Sequence, residues 1–128
     1  MGKIHNYMAE SLLSNSPTAS ILEASHVMND NKIHSLLVED AGEYIGIITN
    51  HDISRKLVAE SLDPEKSQVA EFMSFPLIKL ESQESMEKAA QVMRDHAIHH
   101  LAVTEHEQIL GTLSIHDYYK YLVLKHPK

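Results

Sequence analysis

The sequence predicts an α+β protein made of two tandem β-α-β-β-α repeats folded as a pseudo-twofold pair. Three observations carry this prediction. Residues 48–57 read ITNHDISRKL, and 65 positions later residues 113–122 read LSIHDYYKYL. Sliding the chain along itself by that offset superposes Met8 on Met73, Ala24 on Ala89, Val27-Met28 on Val92-Met93, Ile33-His34 on Ile98-His99 and Gly46 on Gly111, without a gap. Each copy then shows the same succession of helical and strand-like patterns. Two copies are too few for a solenoid, which needs about three or more, so two half-domains packed face to face are expected. The repeats divide the chain at 1–65 and 66–128, with the polar stretch 61–67 (SLDPEKS) as the linker.

Each repeat opens on a short apolar stretch, Leu12-Leu13 in the first and Leu77-Ile78-Lys79-Leu80 in the second. A helix follows. Ser20 and Glu23 stand at capping-box spacing, and Ile21, Ala24, Val27 and Met28 recur at helical intervals. The second copy carries Met86, Ala89, Ala90, Val92 and Met93 in the same role. Two strands come next, at 35–39 and 44–49, then at 100–104 and 109–114. The first pair turns through Asp40-Ala-Gly42. A last helix starts near His51 in one copy and His116 in the other, carrying Leu57 and Leu122. Tyr118, Tyr119 and Tyr121 are expected to pack in the core or at an interface.

Composition removes several function classes. No apolar run approaches the roughly 20 residues of a membrane span, and the opening MGKIHNYMAES lacks a signal-peptide core. Without Cys there is no disulfide or thiolate chemistry, and a cytoplasmic home is expected. The net charge is −7 and the basic residues are scattered, which argues against nucleic acid as a partner. The aromatic content of 5% is too low for a base-stacking platform.

The repeated hydroxyl-x-x-Asp pattern, Thr49 with Asp52 and Ser114 with Asp117, has two readings. Either pair can cap the last helix as a short capping box. Either can also hold a ligand, because a helix N-terminus suits a phosphate and a nearby carboxylate suits a vicinal diol. His51 and His116 lie in the first turn of that helix, as surface residues or as phosphate neighbours. His96-x-x-His99-His100 invites a metal reading. Neighbours on a strand face opposite sides, however, so His99 and His100 converge poorly and no metal is assigned. No nucleophile–base pair or Gly-rich phosphate loop is present, and Asp52 and Asp117 occupy equivalent positions, unlike an acid and a base with different tasks. The expectation is a protein that is not an enzyme and requires no cofactor.

Taken together, Ile45-Gly46-Ile-Ile-Thr49-Asn-His-Asp52 and Leu110-Gly111-Thr-Leu-Ser114-Ile-His-Asp117, with Met28, Met93, Ile33-His34-Ser35-Leu36 and Ile98-His99-His100-Leu101, resemble the cystathionine β-synthase (CBS) domain family in its tandem form, the Bateman module. The resemblance implies a regulatory module that binds adenosine-containing ligands in the cleft between the repeats: AMP, ADP or ATP, or else S-adenosylmethionine or NAD. It implies that Thr49 and Ser114 contact ribose or phosphate, that Asp52 and Asp117 grip the ribose hydroxyls, and that the chain near Leu13 and Ile78 lines the adenine. Nucleotide-sensing members carry His-Arg before the second strand, where this chain has His34-Ser35 and His99-His100. Many members have Pro two residues further on, where it has Leu37 and Ala102. An imidazole replaces a permanent charge, so lightly charged AMP is expected to bind better than ATP. The second copy, with one imidazole more, is the expected tighter site. A homodimer is expected from apolar helix faces left over on small half-cores, and an unidentified effector protein as the receiver of the signal. The alternative is a structural dimerisation module with degenerate pockets.

Overall fold

The computed structural model describes residues 2–126. Six strands and four α-helices follow the expected order twice. The first set is β1 (Ser14–Asn15), α1 (Ile21–Asn31), β2 (Ser35–Asp40), β3 (Glu43–Thr49) and α2 (Asn50–Glu60); the second is β4 (Lys79–Glu81), α3 (Met86–Asp95), β5 (His100–Glu105), β6 (Gln108–Ser114) and α4 (Ile115–Lys125). Each set forms a three-stranded sheet, in the orders β1-β2-β3 and β4-β5-β6. The first pairing is parallel and the second antiparallel in both sheets.

Local chemistry explains the boundaries. Helix α1 begins with a complete capping box: the Glu23 amide donates to Ser20 Oγ at 3.0 Å and the Ser20 amide to Glu23 Oε1 at 3.4 Å. Helix α3 keeps only half of it, the Lys88 amide donating to Ser85 Oγ. The hairpin strands run one residue further than the pattern predicts, because the turns are two residues long. Ala41-Gly42 and His106-Glu107 all have positive φ, as the tight hairpin turn demands. The second turn lacks Gly, so its sequence announces it less clearly.

Two cores form, one per set. In the first, Ile21, Ala24 and Met28 of α1 pack with Leu36, Val38, Ile48 and Ile53. In the second, Met86, Ala89 and Met93 of α3 pack with Leu101, Val103, Leu113 and Tyr121. Of the three tyrosines on α4, Tyr121 is core, Tyr118 is half-buried against it, and Tyr119 is 54% exposed.

The compact units are not cut where the repeats are. One unit is Leu13–Leu77; the other joins the residues up to Leu12 with those from Ile78 onward. Ile4 is fully buried in the second core, while its repeat equivalent Val69 is fully buried in the first, beside Phe72. The opening segment of each repeat thus packs on the other repeat's helices. Residues 61–67, expected as a linker, fold back within the first unit. The Leu22 amide donates to Pro64 O and the Ile21 amide to Ser67 O, filling N–H groups that a helix start leaves without internal partners. In the second unit Gly2 O takes the Ser67 role, accepting from the Met86 amide at 2.7 Å.

Candidate functional site

In the first unit Thr49 ends β3 and caps α2. The Asp52 amide donates to Thr49 Oγ1 at 3.1 Å, and the Thr49 amide donates back to Asp52 Oδ2 at 3.2 Å. In the second unit Ser114 does the same between β6 and α4. The Asp117 amide donates to Ser114 Oγ at 3.2 Å and the Ser114 amide to Asp117 Oδ2 at 2.9 Å. The capping reading is therefore realised twice. Each box uses one carboxylate oxygen and a lone pair of the hydroxyl. The other carboxylate oxygen and the hydroxyl hydrogen take no part in it. Both Asp side chains are half-buried, and Thr49 is 8% exposed.

The helix starts are less open to an anion than the sequence suggests. The Asn50 amide donates to His34 O at 3.0 Å and the Ile115 amide to His99 O at 2.8 Å. The first and third N–H groups of each helix are thus already committed, one to the carbonyl of the residue just before a strand and one to the capping hydroxyl. Side chains must then carry much of any polar recognition there.

The sheets bring most of the predicted residues to one end of each unit. Ser35 pairs with Thr49 across β2 and β3, and His100 pairs with Ser114 across β5 and β6. Directly opposed residues share a face. That face is opposite to Leu36 and Val38, or Leu101 and Val103, which point into the helix-covered cores. His100 therefore stands beside Ser114, where the first unit offers only Ser35. His34 is exposed, and its Nδ1 lies 3.3 Å from Asn50 Nδ2. His99 goes elsewhere, lining a cleft of about 360 Å³ with Ala90, Met93, Arg94, Ile115 and Tyr119 on the helix side of the second unit. His51 and His116 are exposed in the first helical turns, His116 edge-on to Tyr119 with ring centroids 6.2 Å apart. Leu13 is exposed and half-buried Ile78 packs against the second core. Their carbonyls accept from the Leu37 and Ala102 amides at 3.2 and 2.9 Å, which places both at the entry of the parallel strand pairs.

Asn50 escaped the sequence reading, although the repeat offset pairs it with Ile115 and so marks the position as one where the copies differ. Among the described residues no three His, Cys, Asp or Glu side chains are grouped to hold a metal ion. No helix there is long and apolar enough to cross a membrane.

Comparison with known proteins agrees with this architecture. The chain is 26% identical over 117 residues to the CBS domain-containing protein YhcV of Bacillus subtilis, covering 91% of this chain and 83% of that one. It spans only 22% to 55% of the length of several other curated relatives. The hexameric CBS-CP12 protein from bloom-forming cyanobacteria superposes with a TM-score of 0.87 at 26% identity, over 98% of this chain and 75% of that one. The CBS domain pair of protein MJ0100, solved in complex with 5′-methylthioadenosine and S-adenosyl-L-methionine, superposes with a TM-score of 0.83 at 22% identity, over 97% and 98%, a likeness of fold. The sequence profile of the CBS domain matches residues 4–59 and again residues 69–124, so the chain belongs to the CBS domain family and carries the domain as a tandem pair.

Proposed function

We propose that this CBS pair is a ligand-sensing regulatory module, without catalysis of its own, that binds an adenosine-containing molecule and passes the signal to another chain. The observation that carries this reading is the recurrence of one hydroxyl–carboxylate box at the same strand end in both units, each with a carboxylate oxygen and a hydroxyl hydrogen outside the box. A carboxylate oxygen suits a ribose diol, and a hydroxyl suits ribose or phosphate. The complex of the MJ0100 pair with two adenosine compounds supports the ligand class.

Ser114 and Asp117 form the tighter site in this reading, because His100 stands opposite Ser114 on the same sheet face. An Arg fork holds phosphate at every physiological pH, whereas an unperturbed imidazole is mostly neutral above about pH 7. The net charge of −7 also opposes a polyanion. AMP, 5′-methylthioadenosine or S-adenosylmethionine should therefore bind better than ATP. Calorimetric titration with these four compounds and adenosine, at about pH 7.5 and pH 6, tests the reading and is repeated with His100→Ala. Phosphate-bearing ligands should gain affinity at the lower pH through His100, and adenosine should change little. Tight ATP binding that ignores pH and survives loss of His100 would place the phosphates elsewhere.

A second reading, a structural dimerisation module, is favoured by one observation: both boxes are complete as helix caps. Val58 and Val123, equivalent in the repeats, are also 80% and 70% exposed. In either reading the chain forms a homodimer through such helix surfaces. The absence of any heat with all five compounds would favour the structural role.

A further inference from the structure

Two short peptides carry the chain between the compact units, and each is pinned at both ends. Ala9 is bridged to Thr112 of β6 by two backbone hydrogen bonds of 2.9 Å, within the second unit. Four residues later, Leu13 O accepts from the Leu37 amide of β2, within the first unit. The other peptide repeats this in reverse. Ser74 is bridged to Ile47 of β3 by bonds of 2.8 and 3.1 Å, and four residues later Ile78 O accepts from the Ala102 amide of β5. The anchors lie close to the hydroxyl–Asp boxes. Thr112 is two residues before Ser114, and Ile47 is two before Thr49.

We infer that residues 9–13 and 74–78 are reciprocal couplers, transmitting a shift of the strand end at one hydroxyl–Asp box to the central strand of the other unit. A four-residue peptide spans at most about 14 Å and has few torsions with which to absorb movement. Its anchors are main-chain bonds whose loss leaves an amide or a carbonyl unpaired. Leu37 and Ala102, the receiving residues, are almost fully buried, so their amides report local opening with little background. The coupling belongs to the backbone and operates with or without a ligand. It makes the two strand ends one cooperative device, and a ligand held at either box would be felt at the other.

Amide hydrogen exchange of the full chain, followed residue by residue, tests this without any ligand. Ala9→Pro removes the Ala9 donor to Thr112. It should speed exchange of the Leu37 amide by roughly 3- to 10-fold, the weight of about one hydrogen bond. Inserting Gly-Gly-Ser between Glu10 and Ser11 in that variant slackens the coupler, and Leu37 should regain its protection while the donor at position 9 stays missing. Leu37 exchange that is unchanged by Ala9→Pro, or that stays fast after the insertion, would overturn the coupling. Should Ala9→Pro expose all amides alike, the insertion alone in the natural chain decides. The Leu37 and Thr112 amides should open together under mild denaturant without it and separately with it, and identical behaviour would refute the proposal. Failure here leaves the ligand reading standing, and failure of the ligand reading leaves this test intact.

Discussion

A Cβ at position 111 would lie 2.0 Å from the carbonyl oxygen of Ala9. The same relationship holds in the other unit, where a Cβ at Gly46 would lie 2.6 Å from Ser74 O. The two glycines mark the places where a distant segment of backbone lies against the last strand. They are needed for what approaches them, not for unusual torsions.

Gly111→Ala should therefore destabilise the fold by at least about 1–3 kcal/mol, the usual cost of overpacking. This outweighs the 0.5–1 kcal/mol or so that Ala gains over Gly within regular structure. Gly46→Ala should be the milder change, since its overlap is smaller. Urea unfolding midpoints of the two variants check the order.

Ile4→Ala should cost about 2–5 kcal/mol, the range for emptying a core position. The same change at an exposed position would matter little. The full burial of Ile4 among Met86, Ala89 and Met93 makes the difference. A change below about 0.5 kcal/mol, the size of a neutral surface substitution, would contradict its place in the second core.

Capping and binding are separable at Asp117. Asp117→Asn keeps an acceptor for the Ser114 amide and removes the charge, so its stability should stay near that of the natural chain. Its affinity for an adenosine ligand should fall roughly ten- to hundredfold, as expected for a lost charge-assisted hydrogen bond. Ser114→Ala should lower stability by about 1 kcal/mol through the cap. Asp52→Asn should weaken binding less than Asp117→Asn. Calorimetry with AMP reads the affinities, and the reverse order would move the tighter site to the first unit.

Acid stability should depend on Glu87. Tyr121 Oη donates to its Oε2, its own backbone amide contributes, and Lys125 Nζ lies 3.1 Å from it, so its pKa falls below the ordinary 4.5. A carboxylate held low in the folded state contributes stability above the unfolded value, which is lost as pH falls through the folded one. The same hydrogen bond raises Tyr121, and the one that Lys125 itself donates to Glu87 raises Lys125. Their contribution is present below their ordinary values, near 10, and is lost as pH rises through the raised ones. Glu87→Gln should flatten both limbs of a melting-temperature profile. An unchanged acid limb would show that the exposed network is screened by solvent.

Sedimentation at micromolar concentration should show a homodimer. Val58→Lys with Val123→Lys should shift it toward monomer, because charges at those exposed positions oppose an apolar contact. A monomer in the natural chain would remove dimerisation from both functional readings.

Much of this molecule was legible in the chain because its signals are local. The hydroxyl-x-x-Asp spacing that writes a capping box at Thr49 and Ser114 acts over one helical turn. The helical recurrence of Ile21, Ala24 and Met28 and the strand patterns around Leu36 and Leu101 are set by backbone geometry within a few residues. The exact repeat offset then showed that whatever one copy does the other does again. What the local signals left open was ownership. Ile4 and Val69 are equivalent apolar positions, and nothing near either says which core it enters. Only the tertiary structure decided that residues 2–12 complete the second unit and residues 67–77 the first, through backbone bonds to Thr112 and Ile47 and burial against α3 and α1. The same long-range choice committed the first N–H of each last helix to the carbonyl of His34 or His99, just ahead of a strand, and turned the expected linker into a helix cap. Hydrogen-bond partners far apart in sequence are chosen by the packing that brings them together, and no spacing along the chain records that choice.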